Sequence, residues 1–191
     1  MSHKVLSNMK KWTAFFSQTG SEIGSISQAI GRWPDTICTN KSVESMSSIN
    51  LKLLENCFNK IIFLPKNPSV IEYITALKQS ANDVITLNGY LRIIPDIICN
   101  SYEIYNGHPG DIETYPELKG KDPQQKACDL GLHSSGSVIH QVIAEVDSGS
   151  IECIKRCKIY PTSVCKTYEV LHKNSINLWV EFLAKKLNIK L

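Results

Sequence analysis

Short apolar runs closed off by turn residues alternate along this chain with stretches whose apolar positions recur at helical spacing. Residues 12–17, 35–40, 60–64 and 83–88 read as strands, the third stopped by Pro65. Residues 21–30 read as a helix opened by a Gly-Ser turn, and residues 50–59 as another, carried by Leu51, Leu54, Cys57 and Phe58. An amphipathic helix is predicted over 68–80 with Pro68 in its first turn, then a short helix over 95–100 and a strand over 101–106. Residues 110–120 are polar and turn-rich, a surface loop. A helix over 122–131, paired strands over 138–146 and 151–159, and a long helix over 162–187 with Val170, Leu178, Phe182 and Leu183 on its apolar side complete the pattern. Residues 1–9 read as a frayed polar lead-in. Strands separated by helices predict an α/β fold: a mostly parallel sheet with helices on both faces, and residues 1–191 as one domain.

Composition narrows the partners. Hydrophobic residues at 42% and charged residues at 20% are ordinary for a globular chain with a substantial core. A net charge of +3, with only the short pairs Lys155-Arg156 and Lys185-Lys186, argues against nucleic acid as the main partner. Seven scattered cysteines without a secretory leader predict reduced thiols and a cytoplasmic location. Cys153 and Cys157 form no CxxC pair, so no metal is expected. No apolar run approaches the roughly 20 residues that span a bilayer.

The chemistry concentrates in Tyr105-Asn106-Gly107-His108-Pro109-Gly110. Asn106 and His108 sit two apart, so in a strand they project the same way. Further on, Val146-Asp147-Ser148-Gly149 places an isolated carboxylate after an apolar segment. An amide donor, an imidazole and a carboxylate suit a developing oxyanion and a proton transfer. On spacing alone the pair reads equally well as a polar turn after a strand, and Asp147 as a turn residue before glycine.

Four segments in order add to this reading: residues 15–23, with Thr19-Gly20-Ser21; residues 83–94, with Gly89-Tyr90-Leu91-Arg92-Ile93-Ile94; Asn106-Gly107-His108-Pro109; and residues 136–149, where Val138-Ile139-His140-Gln141-Val142 leads to Asp147. Together they resemble the folate-dependent formyltransferases, a group that includes the phosphoribosylglycinamide and methionyl-tRNA enzymes. The resemblance implies a Rossmann-like three-layer formyltransferase fold and transfer of formyl from 10-formyltetrahydrofolate to the amine of a small acceptor, glycinamide ribonucleotide-like or an aminosugar nucleotide. It implies Asn106, His108 and Asp147 as the catalytic set, with the carboxylate raising the histidine pKa. Tyr90, Leu91, Arg92, Ile93 and Ile94 would form one wall of the folate pocket, and Ile143, Ala144, Glu145 and Val146 the other. Thr19, Gly20, Ser21 and Asp111 would meet the acceptor. His140 is expected to be structural.

The sequence departs from the family where the acceptor binds. Glu22 stands beside the Gly-Ser turn where a small amide residue is usual. The family commonly continues His-Pro-Ser-Leu-Leu-Pro, whereas this chain reads His108-Pro109-Gly110-Asp111-Ile112-Glu113. Leu171 precedes His172 where an acidic residue grips the sugar in the purine enzyme, and Lys66 would have to serve a folate-tail arginine. The further domain of tRNA- and sugar-directed relatives has no counterpart, which points to a small acceptor and, at an exposed sheet edge, a possible homodimer. Two alternatives stay open: a 10-formyltetrahydrofolate hydrolase, and a non-catalytic folate- or nucleotide-binding module.

Overall fold

The computed structural model describes residues 10–57, 60–80 and 82–191. The chain runs β1 (Trp12–Phe16), α1 (Ser21–Ile30), β2 (Thr36–Thr39), α2 (Ser48–Asn56), β3 (Ile61–Phe63), α3 (Val70–Gln79), β4 (Val84–Leu87), α4 (Asp96–Cys99), β5 (Ile104–His108), α5 (Pro123–Asp129), β6 (Ser134–Gln141), β7 (Ile151–Lys158) and α6 (Val164–Lys186). One sheet in the order β3-β2-β1-β4-β5-β6-β7 joins all seven strands. Strands β1 to β5 pair in parallel; β6 and β7 turn antiparallel and extend the sheet beyond β5. The expected lead-in at 1–9 and Phe58 lie outside the described residues.

Alternation along β1 divides the core. Trp12, Ala14 and Phe16 pack with α1 and α6 through Ile23, Ile26, Leu178, Trp179 and Phe182. Phe15 points the other way and joins Ile85, Leu87 and Ile104 against Tyr73, Ala76 and Leu77 of α3 and Ile98 of α4. Helices therefore cover both faces, and β1 is buried along its whole length, as a central parallel strand must be. The order reverses between β1 and β4, and in such sheets ligands bind outside the carboxyl ends of the strands at the reversal.

Four expectations shift. β3 is an edge strand with Phe63 exposed, not a buried one. Pro68 lies outside α3: Ser69 caps that helix reciprocally with Glu72, and the cap starts the helix later than the proline suggested. β5 begins later and runs on to His108, so both candidate residues belong to the strand. β6 begins earlier and stops at Gln141, so residues 142–146 are not strand. There the chain turns sharply: a Cβ on Gly149 would sit 1.8 Å from the Gln141 carbonyl oxygen, and Asp147 takes a left-handed backbone with φ 51°. Among the described residues no helix is long and apolar enough to cross a membrane.

Candidate functional site

Strand β5 delivers Asn106 and His108 to the face opposite α6. Between them Gly107 faces α6 so closely that a Cβ would lie 2.4 Å from Trp179 Nε1. The loop between β6 and β7 brings Asp147 to the pair. Its Oδ2 lies 3.2 Å from His108 Nδ1 and accepts the Gly120 amide at 2.9 Å. Its Oδ1 lies 3.3 Å from His140 Nε2 and accepts from Asn106 Nδ2 at 3.4 Å. His140 sits opposite Asn106 in the antiparallel register, its Nδ1 donating to the Gln141 carbonyl at 2.9 Å. Asp147 is thus the hub of four groups from three segments.

Both ring nitrogens of His108 face acceptors. A carbonyl can only accept, so the 2.8 Å contact between Nε2 and Leu118 O places a proton on Nε2. The neutral ring then turns the Nδ1 lone pair toward a carboxylate, whereas the imidazolium satisfies both partners. Burial works against the imidazolium and lowers the His108 pKa, outweighing the Asp147 carboxylate and the Leu118 carbonyl, which both raise it. The rise expected from the sequence is therefore corrected to a fall, because the ring is 5% exposed. Asp147 also suffers from burial, but the His140 hydrogen bond, the His108 charge and the Gly120 amide prevail and hold its pKa down at about 2.

Acid should consequently destabilise the fold in two steps of the same sign. Both groups have depressed pKa values in the folded chain, so the unfolded chain takes up protons first as pH falls. The His108 contribution is complete above 6.5 and declines below it. The Asp147 contribution, about 2 kcal/mol, is present above 3.8 and lost as pH falls toward 2. Calorimetric unfolding of the wild type and Asp147→Asn checks this: the variant should lose the lower step. An unchanged acid profile would contradict the Asp147 assignment.

The turn after β4 exposes Leu91 at 59% and Ile93 at 72%. Across from it residues 143–146 are exposed, including Ile143 and Val146, while Val142 packs on the cluster that holds Tyr90 and Ile94. Both segments expose apolar side chains, a composition that suits a flat heterocycle with few polar anchors. Tyr90 and Ile94 back the wall from within the core; Tyr90 shares a 2.9 Å hydroxyl contact with Tyr73. Arg92 holds two backbone carbonyls, Lys66 O and Leu91 O, each at 2.7 Å.

A sequence model of the formyl transferase family matches residues 19–181. The chain belongs to the formyl transferase family. A methionyl-tRNA formyltransferase of Thermotoga sp. is 28% identical over 127 residues, which cover 63% of this chain and 39% of that protein. The chain therefore matches well under half the length of that relative. Glycinamide ribonucleotide transformylase 1 from Geobacillus kaustophilus superposes with a TM-score of 0.80 at 23% identity, over 94% of this chain and 100% of that one. A formyltetrahydrofolate deformylase from Pseudomonas syringae pv. tomato superposes with a TM-score of 0.75 at 18% identity, over 95% and 63%. At these identities the superpositions establish a shared fold.

Within this formyl transferase fold, the expected acceptor residues fare unevenly. Thr19 and Ser21 share a 2.9 Å hydroxyl contact at the opening of α1, with Thr19 exposed. Gly20 is buried, its left-handed φ of 68° and a would-be Cβ 2.4 Å from Leu53 tying the turn to α2. Asp111 does not face an acceptor. It is 1% exposed, one oxygen taking Arg156 Nε at 2.7 Å and the other the Thr114 amide at 3.0 Å, so it braces the loop that carries Leu118. Three participants escaped sequence reasoning: Leu118 through its carbonyl, Gly120 through its amide, and Arg156. Backbone groups carry no side-chain signal, and the Arg156 partnership depends on β7 lying across from the loop. His140 carried a signal in its place before the aspartate, but its contact with Asp147 follows from the β5–β6 register.

Proposed function

We propose that the chain transfers a formyl group from 10-formyltetrahydrofolate to the amine of a small acceptor. The observation that carries this reading is the convergence of Asn106, His108 and Asp147, with Val142 packing the chain before 143–146 onto the cluster that holds Tyr90 and Ile94. The folate would supply the formyl carbon as electrophile, and Leu91, Ile93, Ile143 and Val146 suit the faces of its heterocycle. Asn106 Nδ2 is the neutral donor to the carbonyl oxygen as it gains charge. As the acceptor nitrogen bonds to the formyl carbon and the bond from that carbon to the folate nitrogen breaks, His108 in its protonated form donates to the same oxygen, passes its proton to the departing nitrogen and is restored by the proton the acceptor amine gives up. Asp147, ionised at every working pH, orients the ring and stabilises its charged form. For Nε2 to reach a substrate, the Leu118 carbonyl must release it, so the loop braced by Asp111 shifts on binding.

The test is release of tetrahydrofolate from 10-formyltetrahydrofolate with and without a panel of small amines. Release that depends on one amine supports transfer. Release without any amine replaces transfer by hydrolysis on the same residues. Tight folate binding without release leaves a binding module and removes the catalytic claim.

A further inference from the structure

One loop, residues 110–118, covers the Nε2 edge of His108 from two sides. At its start a Cβ on Gly110 would lie 3.1 Å from His108 Nε2 and 3.2 Å from Leu118 Cβ. At its end the Leu118 carbonyl takes the Nε2 proton at 2.8 Å. Between these points turn follows turn. The Thr114 amide donates to Asp111 Oδ1 at 3.0 Å, the Tyr115 amide to Asp111 O at 2.9 Å, and the Leu118 amide to Tyr115 O at 3.0 Å. Asp111, directly after Gly110, is therefore the residue around which the loop folds. Its carboxylate is almost fully buried, and a buried charge needs a partner. Burial works to raise the Asp111 pKa, yet Arg156 and the Thr114 amide prevail and hold it low.

That partner comes from the last strand of the sheet. Arg156 on β7 donates from Nε to Asp111 Oδ2 at 2.7 Å, and from Nη2 to Glu113 Oε2 at 2.5 Å and Thr114 Oγ1 at 3.4 Å. Gly136 stands opposite Arg156 in the β6–β7 register, so no side chain at that position of β6 obstructs the guanidinium. One planar fork thus spans three loop residues, a hold that the point charge of a lysine cannot reproduce. Arg156 and Glu113 are half-exposed, so the clamp is set at the surface while the ring beneath the loop is buried.

We infer that Arg156 is a positioning residue for the proposed formyl transfer: through Asp111 it holds residues 110–118 closed over the Nε2 edge of His108, and loosening its grip opens that edge to a substrate. The inference rests on reading His108 as the group that meets the substrate. Among the described residues, the charged or titratable groups that act on the ring are Asp147 from the β6–β7 loop, His140 from β6 and Lys126 from α5. Opening the loop leaves those elements in place and admits water to the ring. Burial is the largest influence on His108 and works against its charged form, so opening raises its proton affinity even though the Leu118 carbonyl is lost.

Histidine NMR titration of the full chain decides this, with the His108 signal assigned by its loss in His108→Gln. Arg156→Lys keeps the charge and gives up the fork. Its His108 midpoint should rise by about half a pH unit or more, and trypsin should cut after Lys119 and Lys121 about 3-fold faster or more, because cleavage follows the open population. Arg156→Gln combined with Asp111→Asn removes both charges and leaves none buried without a partner, so it keeps the test open should a single variant fold poorly; it should shift both readouts in the same direction. Lys158→Gln removes an exposed charge from the same strand outside the clamp and should move neither. In the transfer assay, the limb on which activity declines with rising pH should move up with the midpoint. A midpoint and cleavage rate unchanged in Arg156→Lys and in the double variant overturn the inference, as does an equal shift in Lys158→Gln. Titration and cleavage need no folate, so their failure is distinct from a failure to release tetrahydrofolate.

Discussion

His108→Ala should lower formyl transfer by about 10³-fold while leaving folate binding within a few-fold of the wild type. Among Asn106, His108 and Asp147 the imidazole is the group able to hold or release a proton near neutral pH, because Asp147 is held at about 2 and Asn106 does not titrate. Leu91, Ile93, Ile143 and Val146, proposed to hold the folate, are untouched by the substitution. Asn106→Ala should cost about 10²-fold through loss of the oxyanion donor. Asp147→Asn should act through the ring: an amide presents a weaker partner to Nδ1, so the imidazolium becomes rarer still and the limb on which activity declines with rising pH moves to lower pH. The three losses should be far from additive, since the groups share hydrogen bonds. Single-turnover kinetics with equilibrium folate titrations would measure them. Transfer that survives in His108→Ala at a tenth of the wild-type rate would remove His108 from the chemistry.

Gly107→Ala should destabilise the fold by about 3 kcal/mol and slow transfer more than that loss accounts for. The added methyl would meet Trp179 Nε1 at 2.4 Å and Cε2 at 2.9 Å, and Trp179 is fully buried among α6, β1 and β5 side chains. Neither the strand nor the indole can retreat without displacing neighbours. Asn106 and His108 flank the residue on β5, so any shift of the strand displaces both. Trimming the ring in Gly107→Ala/Trp179→Leu should recover part of the rate, with a coupling of at least about 1 kcal/mol. Chemical denaturation and kcat for the two single variants and the pair test this. Independent, additive effects would mean that the contact does not position the pair.

The alternation of apolar strands and amphipathic helices was sufficient to place most elements, because each is a local pattern: Trp12 to Phe16 is apolar but for Thr13, and Ser21 to Ile30 has its Gly-Ser opening and Gly31 stop. Local pattern misjudged what depends on neighbours. The apolar run at β3 resembles a buried strand, yet among the described residues nothing pairs beyond it in the sheet. Residues 142–146 continue the apolar run of β6, yet the chain leaves the sheet there because Gly149 must pass against the Gln141 carbonyl.

At the site the same division holds. From the sequence alone came the three side-chain types at Asn106, His108 and Asp147, the apolar character of residues 90–94 and 143–146, and an unusual Glu22 beside a helix opening. Tertiary structure alone decided what those groups touch. Asp111 reads as an acceptor contact until Arg156, 45 positions away, claims it. The direction of the His108 pKa follows from how deeply the ring is buried, against the opposing pull of Asp147 and Leu118 O, and that burial leaves no mark on nearby side chains. Glu22 is a bare charge in the sequence and a hydrogen-bond acceptor in the fold, because Ser175 reaches it from 153 positions along the chain. Residue chemistry and local periodicity are properties of short segments, so they are written in the sequence. Hydrogen-bond partners, burial and the resulting shifts in proton affinity depend on segments that only the closed sheet brings together.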